Sequence, residues 1–265
     1  MQPLKDTQNE PDDRNVPIDR VGIKQLRYPL SIRLKDGTLQ GTVATVSLAV
    51  DLPREFKGTH MSRFVEVLTA HGEILDIHDV TVIPRELLDR LEASKSHVEF
   101  SFPFFIKKSA PVSGKPGLID YEVSFEIEAL ENGDTDFTLT LKVPVATLCP
   151  CSKAISARGA HNQRGLVTFS VRFSGDPVWI EDLVRLVEDS ASCELYSVLK
   201  RPDEKHVTEQ AYDNPVFVED LVRNVAVRAN DQDAISWYRV EAENFESIHN
   251  HNAYAIVERD KGEAQ

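Results

Sequence analysis

The sequence predicts an α+β protein made of antiparallel sheets and helices, and three features of its 265 residues carry that prediction. Runs of alternating polarity are typical of strands, and runs with apolar residues three and four positions apart are typical of helices. Both kinds are present, in the order strand–strand–helix–helix–strand–strand. That order recurs after a turn near residues 131–136 (ENGDTD), which indicates two copies of one unit, residues 28–131 and 132–265.

The first half begins with a polar segment, residues 1–27, which is rich in Asp, Asn, Gln and Pro and which we interpret as a mobile arm. An Asp36–Gly37 pair between two apolar runs then predicts a hairpin. Pro84 is typical of a helix start, and the leucines after it have helical spacing. The predicted elements are strands at 28–34 and 39–52, helices at 63–75 and 84–94, and strands at 97–107 and 117–130.

The second half repeats this order. Ile180, Leu183 and Val187 fall on one face of a predicted helix. Asn214 and Pro215 are typical of an N-cap and a first helical position. The charged stretch LKRPDEKHVTEQ, residues 199–210, is interpreted as an exposed linker unless it contributes to a metal site. The predicted elements are strands at 136–148 and 165–173, helices at 178–190 and 214–229, and strands at 235–247 and 252–259.

Composition and charge exclude several classes of protein. A hydrophobic content of 41% and a charged content of 28% predict a packed globular core. The formal net charge of −13 argues against a general nucleic-acid binder, because phosphate contacts need a basic face. The sequence shows neither an apolar run long enough to span a bilayer nor the pattern of a signal peptide. We therefore expect a cytoplasmic protein without nucleic-acid or membrane partners.

Two thiols, an imidazole and several cations are gathered in one predicted loop, LCPCSKAISARGAHNQRG (residues 148–165). In a reducing compartment, thiols serve metals or catalysis more often than disulfides. Cys149 and Cys151 are too close together for half of a usual zinc knuckle, so Cys149, at the end of a strand, is the candidate ligand near His161. The alternative is that both cysteines pack as small buried hydrophobic residues.

Three further segments of the second half carry candidate functional groups. His249 and His251 alternate in ESIHNHNAYA (residues 246–255), so on an extended chain they face the same side and suit metal binding or proton transfer. The stretch 199–210 carries three carboxylates, of which Glu204 or Glu209 could supply a hard metal ligand. Glu219 lies near the start of a predicted helix, where its carboxylate can accept two parallel N–H bonds from a planar donor edge, such as the N1 and N2 edge of guanine. A solvated loop, linker or helix-dipole charge is the alternative in each case.

Taken together, PVATLCPCSKAISARGAHNQRG, LYSVLKRPDEKHVTEQAYDNPVFVEDLVR and ESIHNHNAYA resemble the prokaryotic GTP cyclohydrolase IB family, over most of the chain after the arm. The resemblance implies conversion of GTP and water to 7,8-dihydroneopterin triphosphate and formate, the first step of folate-type pterin synthesis. It implies tandem tunnelling-fold (T-fold) units, each an antiparallel sheet with two helices, and a homotetramer. It also implies a metal site from Cys149, His161, Glu204 and His249, with Glu209 and His251 as possible exchanges, and Glu219 as the purine anchor.

The implied mechanism needs one divalent metal per site, which the sequence leaves open among zinc, manganese and iron(II). A ligated water would become hydroxide near neutral pH and attack C8 of guanine. Cys149, as a ligand, and His161 or His251, as the proton donor, are the catalytic candidates. The triphosphate needs local cations in an acidic chain, and the candidates are Lys153, Arg158, Arg164, Lys200 and Arg201.

Two other functions fit the same residues. In another tunnelling-fold enzyme, acting on a pterin or a deazapurine, the Cys149 thiolate would be a nucleophile instead of a ligand. In a nonenzymatic metal-binding module, the cysteines and histidines would only hold a loop together. Metal analysis and a test for formate release from GTP distinguish these alternatives.

Overall fold

The structure, a computed structural model, describes residue 8 and residues 10–262, and within them ten strands form one mostly antiparallel sheet. Six helices accompany the sheet, so the predicted α+β class is confirmed. The strands are β1 (Ile18–Arg33), β2 (Leu39–Leu52), β3 (Ile74–Leu75), β4 (Lys95–Ser109), β5 (Pro116–Leu130), β6 (Thr135–Leu148), β7 (Asn162–Phe173), β8 (Cys193–Glu194), β9 (Ile235–Asn244) and β10 (Ala253–Asp260). Their order is β10-β9-β7-β6-β5-β4-β2-β1-β3, and β8 pairs with β6.

The chain divides into two compact units, each made of two segments. Unit 1 comprises Met1–Phe102 and Ser124–Thr138, and unit 2 comprises Pro103–Val123 and Leu139–Gln265. This division differs from the predicted boundary near 131–136, because strands β4, β5 and β6 each contribute residues to both units. The sequence pattern indicates the turn between β5 and β6. It does not indicate the residue within each strand at which contacts with one unit give way to contacts with the other.

In unit 1, strand β1 begins earlier than predicted. Ile18 is aligned with Leu52 of β2, and Arg33 with Leu39, across a turn in which Gly37 has φ +83°. The hairpin prediction is therefore confirmed, and the arm prediction is wrong for residues 18–27. Backbone pairing holds those residues although many of their side chains are exposed. Residues 1–7 and 9 of the predicted arm lie outside the described residues.

Both predicted helices of unit 1 are present. Helix α1 (Met61–His71) buries Phe64, Val67 and Leu68 and ends before Gly72, which has φ +83°. Helix α2 (Val82–Leu91) begins two residues before Pro84, so the proline is the third helical residue and not the first. The apolar stripes found in the sequence are the faces that these helices bury.

Unit 2 contains four helices, of which two were predicted. They are α3 (Pro150–Ile155), α4 (Ile180–Glu188), α5 (Arg201–Asp213) and α6 (Val218–Asn230). Helices α4 and α6 confirm the prediction, although α6 starts after Phe217, and Asn214 ends α5 instead of capping α6. The interpretation of residues 199–210 as a linker is wrong, because α5 occupies most of them. No described helix has the length and apolar character needed to cross a bilayer.

Strands β6, β7 and β9 bring two loops together in unit 2. Gly165 of β7 is aligned with Asn244 of β9, and Asn244 with Ala253 of β10. A Cβ atom at Gly165 would lie 2.7 Å from Asn244 Oδ1, so a side chain there would displace the amide. The loop after β6, which begins at Cys149, and the loop between β9 and β10, residues 245–252, therefore start at the same end of these strands.

Candidate active site

Cys149 and His161 are neighbours in the structure, as predicted. Cys149 follows the last residue of β6 and is the N-cap of α3, and His161 precedes the first residue of β7. The backbone N–H of Cys149 donates to the carbonyl oxygen of His161 at 3.1 Å. Both residues are half-buried, whereas Cys151 is exposed. The first and last residues of the loop between β6 and β7, Cys149 and His161, are thus joined through their backbones at the base of the loop.

Ser152 fixes this loop through its backbone and its hydroxyl. Its backbone N–H donates to Cys149 Sγ at 3.4 Å, and its Oγ donates to the Cys149 carbonyl at 3.1 Å. The same Oγ accepts the backbone N–H of His161 at 3.2 Å. Sequence reasoning missed Ser152, because neither helix α3 nor its N-cap at Cys149 was predicted.

The ring of His161 is held by Gln163. His161 Nδ1 lies 3.0 Å from Gln163 Oε1, and Gln163 Nε2 donates to Thr147 Oγ1 at 3.0 Å. Ser247 Oγ, from the loop between β9 and β10, lies 3.5 Å from the same Nδ1. The loop that carries His249 and His251 therefore approaches His161 through Ser247. Gln163 could have been found from the sequence, because it lies two residues after His161, and side chains two apart on an extended chain face the same side.

His249 and His251 lie in an irregular loop, not on the extended chain that the sequence predicted. Both side chains are exposed, and their rings stack with centroids 5.1 Å apart and an interplanar angle of 18°. The two imidazoles therefore face each other.

The carboxylates of helix α5 have different surroundings. Glu204 and Glu209 are exposed, and Glu209 pairs with Lys205 at 3.4 Å. The side chain of Asp203 is buried and accepts the backbone N–H groups of Val112, Ser113 and Lys200 at 2.7–2.8 Å. Burial alone would raise the pKa of Asp203, but these hydrogen bonds and the Ser113 hydroxyl outweigh it and lower that pKa. Asp203 therefore has a structural role. The sequence did not predict it, because Asp203 lies in a stretch of charged residues that resembles an exposed linker.

The residues fit a metal ion only in part. A thiol and an imidazole with one engaged nitrogen are ligands that zinc and other transition metals prefer. Cys149 and His161 satisfy this requirement, and the sequence also implied Glu204 and His249. Within residue 8 and residues 10–262, however, no three His, Cys, Asp or Glu side chains form a group that could hold a metal. Of the four implied ligands, Cys149 and His161 are linked in this chain by a backbone hydrogen bond.

Glu219 is exposed in the first turn of α6, as predicted. Its neighbour Asp220 accepts the backbone N–H of Phe217 at 3.3 Å, so Asp220 caps the helix and Glu219 does not.

The candidate triphosphate cations are exposed with one exception. Lys153 is half-buried, its Nζ donates to the carbonyl of Tyr212, and the same atom lies 4.3 Å from the centroid of the Tyr212 ring. Lys153 thus joins α3 to α5. The exposed candidates are Arg158, Arg164, Lys200 and Arg201.

A second polar cluster in unit 2 lines a cavity of about 310 Å³, and sequence reasoning missed it. Lys108 Nζ contacts Glu188 Oε1 at 2.8 Å and also Glu194. Tyr121 OH donates to Glu188 at 2.7 Å, and Tyr196 OH donates to Glu194 at 2.6 Å. Burial raises the pKa of Glu188 although Lys108 lowers it in part. These residues come from β4, β5, α4, β8 and the chain after β8. Because they are far apart in the sequence, no local sequence pattern predicts the cluster.

The architecture resembles that of solved uricases. Uricase from Arthrobacter globiformis matches with a TM-score of 0.55 and 8% identity, covering 93% of this chain and 94% of that chain. A hyper-thermostable uricase mutant matches with a TM-score of 0.56 and 8% identity, covering 93% of each chain. At this identity the likeness shows the fold alone. Fold and site together define an α+β protein with a fold like that of the solved uricases, in which Cys149 and His161 are joined through their backbones at one end of the sheet.

Sequence comparisons identify the family. The family model described as "Type I GTP cyclohydrolase folE2" matches residues 4–255. GTP cyclohydrolase FolE2 of Akkermansia muciniphila is 69% identical over 261 residues, which cover 98% of this chain and 99% of that protein. The protein of the same name from Nitrosomonas eutropha is 55% identical, covering 98% and 97%. The chain belongs to the type I GTP cyclohydrolase FolE2 family.

Membership of this family makes the chain an enzyme, a GTP cyclohydrolase. The resemblance found in the sequence is confirmed at the level of type I GTP cyclohydrolase, under the name FolE2. The match decides against the pterin or deazapurine enzyme and against the nonenzymatic module as the principal function.

Proposed function

We propose that the chain converts GTP and water to 7,8-dihydroneopterin triphosphate and formate, in the manner of type IB enzymes, as the first step of folate-type pterin synthesis. The observation that carries this proposal is the Cys149–His161 pair. The 3.1 Å backbone hydrogen bond between these residues holds a thiol and an imidazole at the base of one loop. The family match over residues 4–255 supports the substrate and the reaction type.

One divalent cation, with zinc, manganese and iron(II) as candidates, is part of this proposal, and Cys149 and His161 would be its first two ligands. When bound, such a cation lowers the pKa of a ligated water to about 7 and so supplies hydroxide near neutral pH. Glu204 and His249 complete the proposed set, with Glu209 and His251 as the alternatives. The 3.5 Å approach of Ser247 to His161 supports a histidine from that loop as a third ligand.

The remaining residues bind the substrate and move protons. The carboxylate of Glu219 accepts N–H bonds from the N1 and N2 edge of guanine, and this contact fixes the direction of C8. His251, or His161 when it is off the metal, donates protons to N7 and N9 as the imidazole ring opens, a role that typically contributes about 10²–10⁴-fold. The exposure of Glu219 and His251 leaves both free to meet a substrate.

Local cations hold the triphosphate against the acidic charge of the chain. The exposed side chains of Arg158, Arg164, Lys200 and Arg201 are suited to this role. Lys153 is the weakest of the five candidates, because its ammonium group is engaged by the carbonyl and ring of Tyr212.

Assembly and compartment complete the proposal. We assign a homotetramer of chains with tandem T-fold units, in which a second copy completes the site. The exposure of Glu204, Glu219 and His249 in one chain supports a site shared between copies. The free state of all three cysteines supports a reducing compartment, the cytoplasm.

The test is GTP turnover after chelation, with zinc, manganese and iron(II) restored one at a time. Formate release and the fluorescence of the oxidised pterin are measured in parallel. We expect both products to disappear on chelation and to return with at least one of the three metals. Turnover that persists in fully metal-free protein would overturn the metal part of the proposal, whereas metal-restored protein without formate release would overturn the reaction.

A further inference from the structure

Three side chains form a continuous hydrogen-bonded series that ends on the ring of His161. Thr147 is fully buried in β6, and its Oγ1 accepts Gln163 Nε2 at 3.0 Å. Gln163 Oε1 in turn lies 3.0 Å from His161 Nδ1. The series starts inside unit 2 and ends at the half-buried loop that carries Cys149. Gln163 is therefore anchored on its inner side before it meets the imidazole.

The placement of the Gln163 amide favours one tautomer of His161. A glutamine amide presents donors on one atom and an acceptor on the other. Because the nitrogen of Gln163 faces Thr147, the oxygen faces His161, and an acceptor at that position requires the proton of the neutral ring on Nδ1. The lone pair of the ring then lies on Nε2, since a neutral imidazole carries one donor and one acceptor.

We infer that Gln163 is a positioning residue of the active site, which holds His161 as the Nδ1–H tautomer so that Nε2 presents its lone pair. Thr147 sets the orientation of the Gln163 amide and so acts on His161 only through Gln163. This inference rests on the proposed role of His161 as a ligand. A second group that orients a ligating histidine typically accounts for a 10–100-fold difference in metal affinity.

The tautomer is measured directly by nitrogen-15 NMR of the histidine rings in the metal-free protein. The measurement is made at about pH 8, above the ordinary pKa of histidine. The signals absent from the His161→Ala variant identify His161. We expect the proton on Nδ1 in the wild type and a shift towards Nε2–H in Gln163→Leu. A proton on Nε2 in the wild type, or an unchanged tautomer in Gln163→Leu, would overturn the inference.

A matched pair at Thr147 tests the outer step without disturbing packing. Thr147→Val has nearly the same shape but lacks the hydroxyl, and Thr147→Ser keeps it. We expect Thr147→Val to lose the Nδ1–H preference and Thr147→Ser to retain it. The opposite pattern, or no difference between the two variants, would show that Thr147 does not orient the amide.

Cobalt(II) binding, followed by thiolate-to-cobalt absorption in a chelator competition, separates this inference from the proposed function. We expect Gln163→Leu to bind cobalt about 10–100-fold more weakly than the wild type. If His161→Ala binds cobalt as tightly as the wild type, His161 is not a ligand and the proposed metal site fails. If His161→Ala weakens binding but Gln163→Leu does not, the proposed site stands and the positioning role of Gln163 fails.

Discussion

The carboxylate of Asp203 accepts both the backbone N–H and the hydroxyl of Ser113, each at 2.7 Å. These bonds join the first turn of α5 to the loop between β4 and β5. The Ser197 side chain, which precedes α5, also lies against Gly117, where a Cβ atom would come within 2.2 Å of Ser197 Oγ. The start of α5, which carries Glu204, is therefore held by a buried anion.

Asp203→Asn should destabilise the protein and remove part of its acid sensitivity. The folded-state pKa of Asp203 is depressed, so the carboxylate stabilises the fold above its unfolded pKa of about 3.9. That contribution is lost as the pH falls below about 4, towards the depressed pKa. Urea unfolding at about pH 7, 5 and 3 measures the effect.

Glu204→Gln is the matched control for this prediction, because its carboxylate is exposed one residue away. The wild type and Glu204→Gln should lose stability steeply in acid, whereas Asp203→Asn should show a lower and flatter profile. Equal slopes in all three proteins would contradict the role of Asp203.

Lys108→Met should lower the free energy of unfolding by about 3–5 kcal/mol, because it leaves Glu188 buried without its cation. The pKa of Glu188 is already raised, so this carboxyl destabilises the fold increasingly as the pH rises through that pKa. Loss of Lys108 should strengthen this trend, and the further change Glu188→Gln should recover part of the stability. Unfolding by urea at several pH values, upward from the unfolded glutamate pKa of about 4.3, measures both effects.

The control for Lys108 is Lys107→Met, since the Lys107 side chain is exposed on the same strand. It should change stability by less than about 0.5 kcal/mol. A comparable loss in Lys107→Met would mean that the strand, and not the buried pair, determines the result.

Cys149→Ala should abolish formate release and reduce metal content, because it removes one of the two proposed ligands at the base of the loop after β6. Cys151→Ala should retain both, since Cys151 is exposed two residues away and lies outside that pair. Metal analysis and formate detection on the two purified variants make the comparison. Full turnover in Cys149→Ala would sink the assignment of the site.

Glu219→Gln should lower kcat/KM for GTP while leaving metal content intact. Loss of hydrogen bonds to a charged group costs about 1.5–3 kcal/mol, which corresponds to roughly 10- to 150-fold. Asp220→Asn, in the same turn, should instead reduce stability, because Asp220 caps α6. A collapse of metal occupancy in Glu219→Gln would show that its carboxylate acts at the metal and not at the purine.

The sequence predicted the elements whose apolar residues repeat with a clear period. Phe64, Val67 and Leu68 of α1 and the alternating strands β4 and β5 are examples, since burial on one face imposes that period. Helix α5 was missed because its residues are mostly polar and it buries only Asp203 and Ala211. A helix held by a buried carboxylate leaves no apolar stripe in the sequence.

The candidate site was predictable where its residues are close in the chain, as with Cys149 and His161. The partners that fix them are harder to find, because Thr147 and Ser247 reach the site only through strand pairing and the fold of a loop. The prediction that His249 and His251 face the same side assumed an extended chain. The structure has an irregular loop there, in which the two rings stack on each other. Spacing along a sequence fixes direction only where the backbone is regular.

The chain passes between its two compact units at three places, after Phe102, after Val123 and after Thr138. A recombination event that exchanged one unit for that of a relative would therefore have to join three breakpoints at once. Neither a single genetic crossover nor a single proteolytic cut can release an intact half.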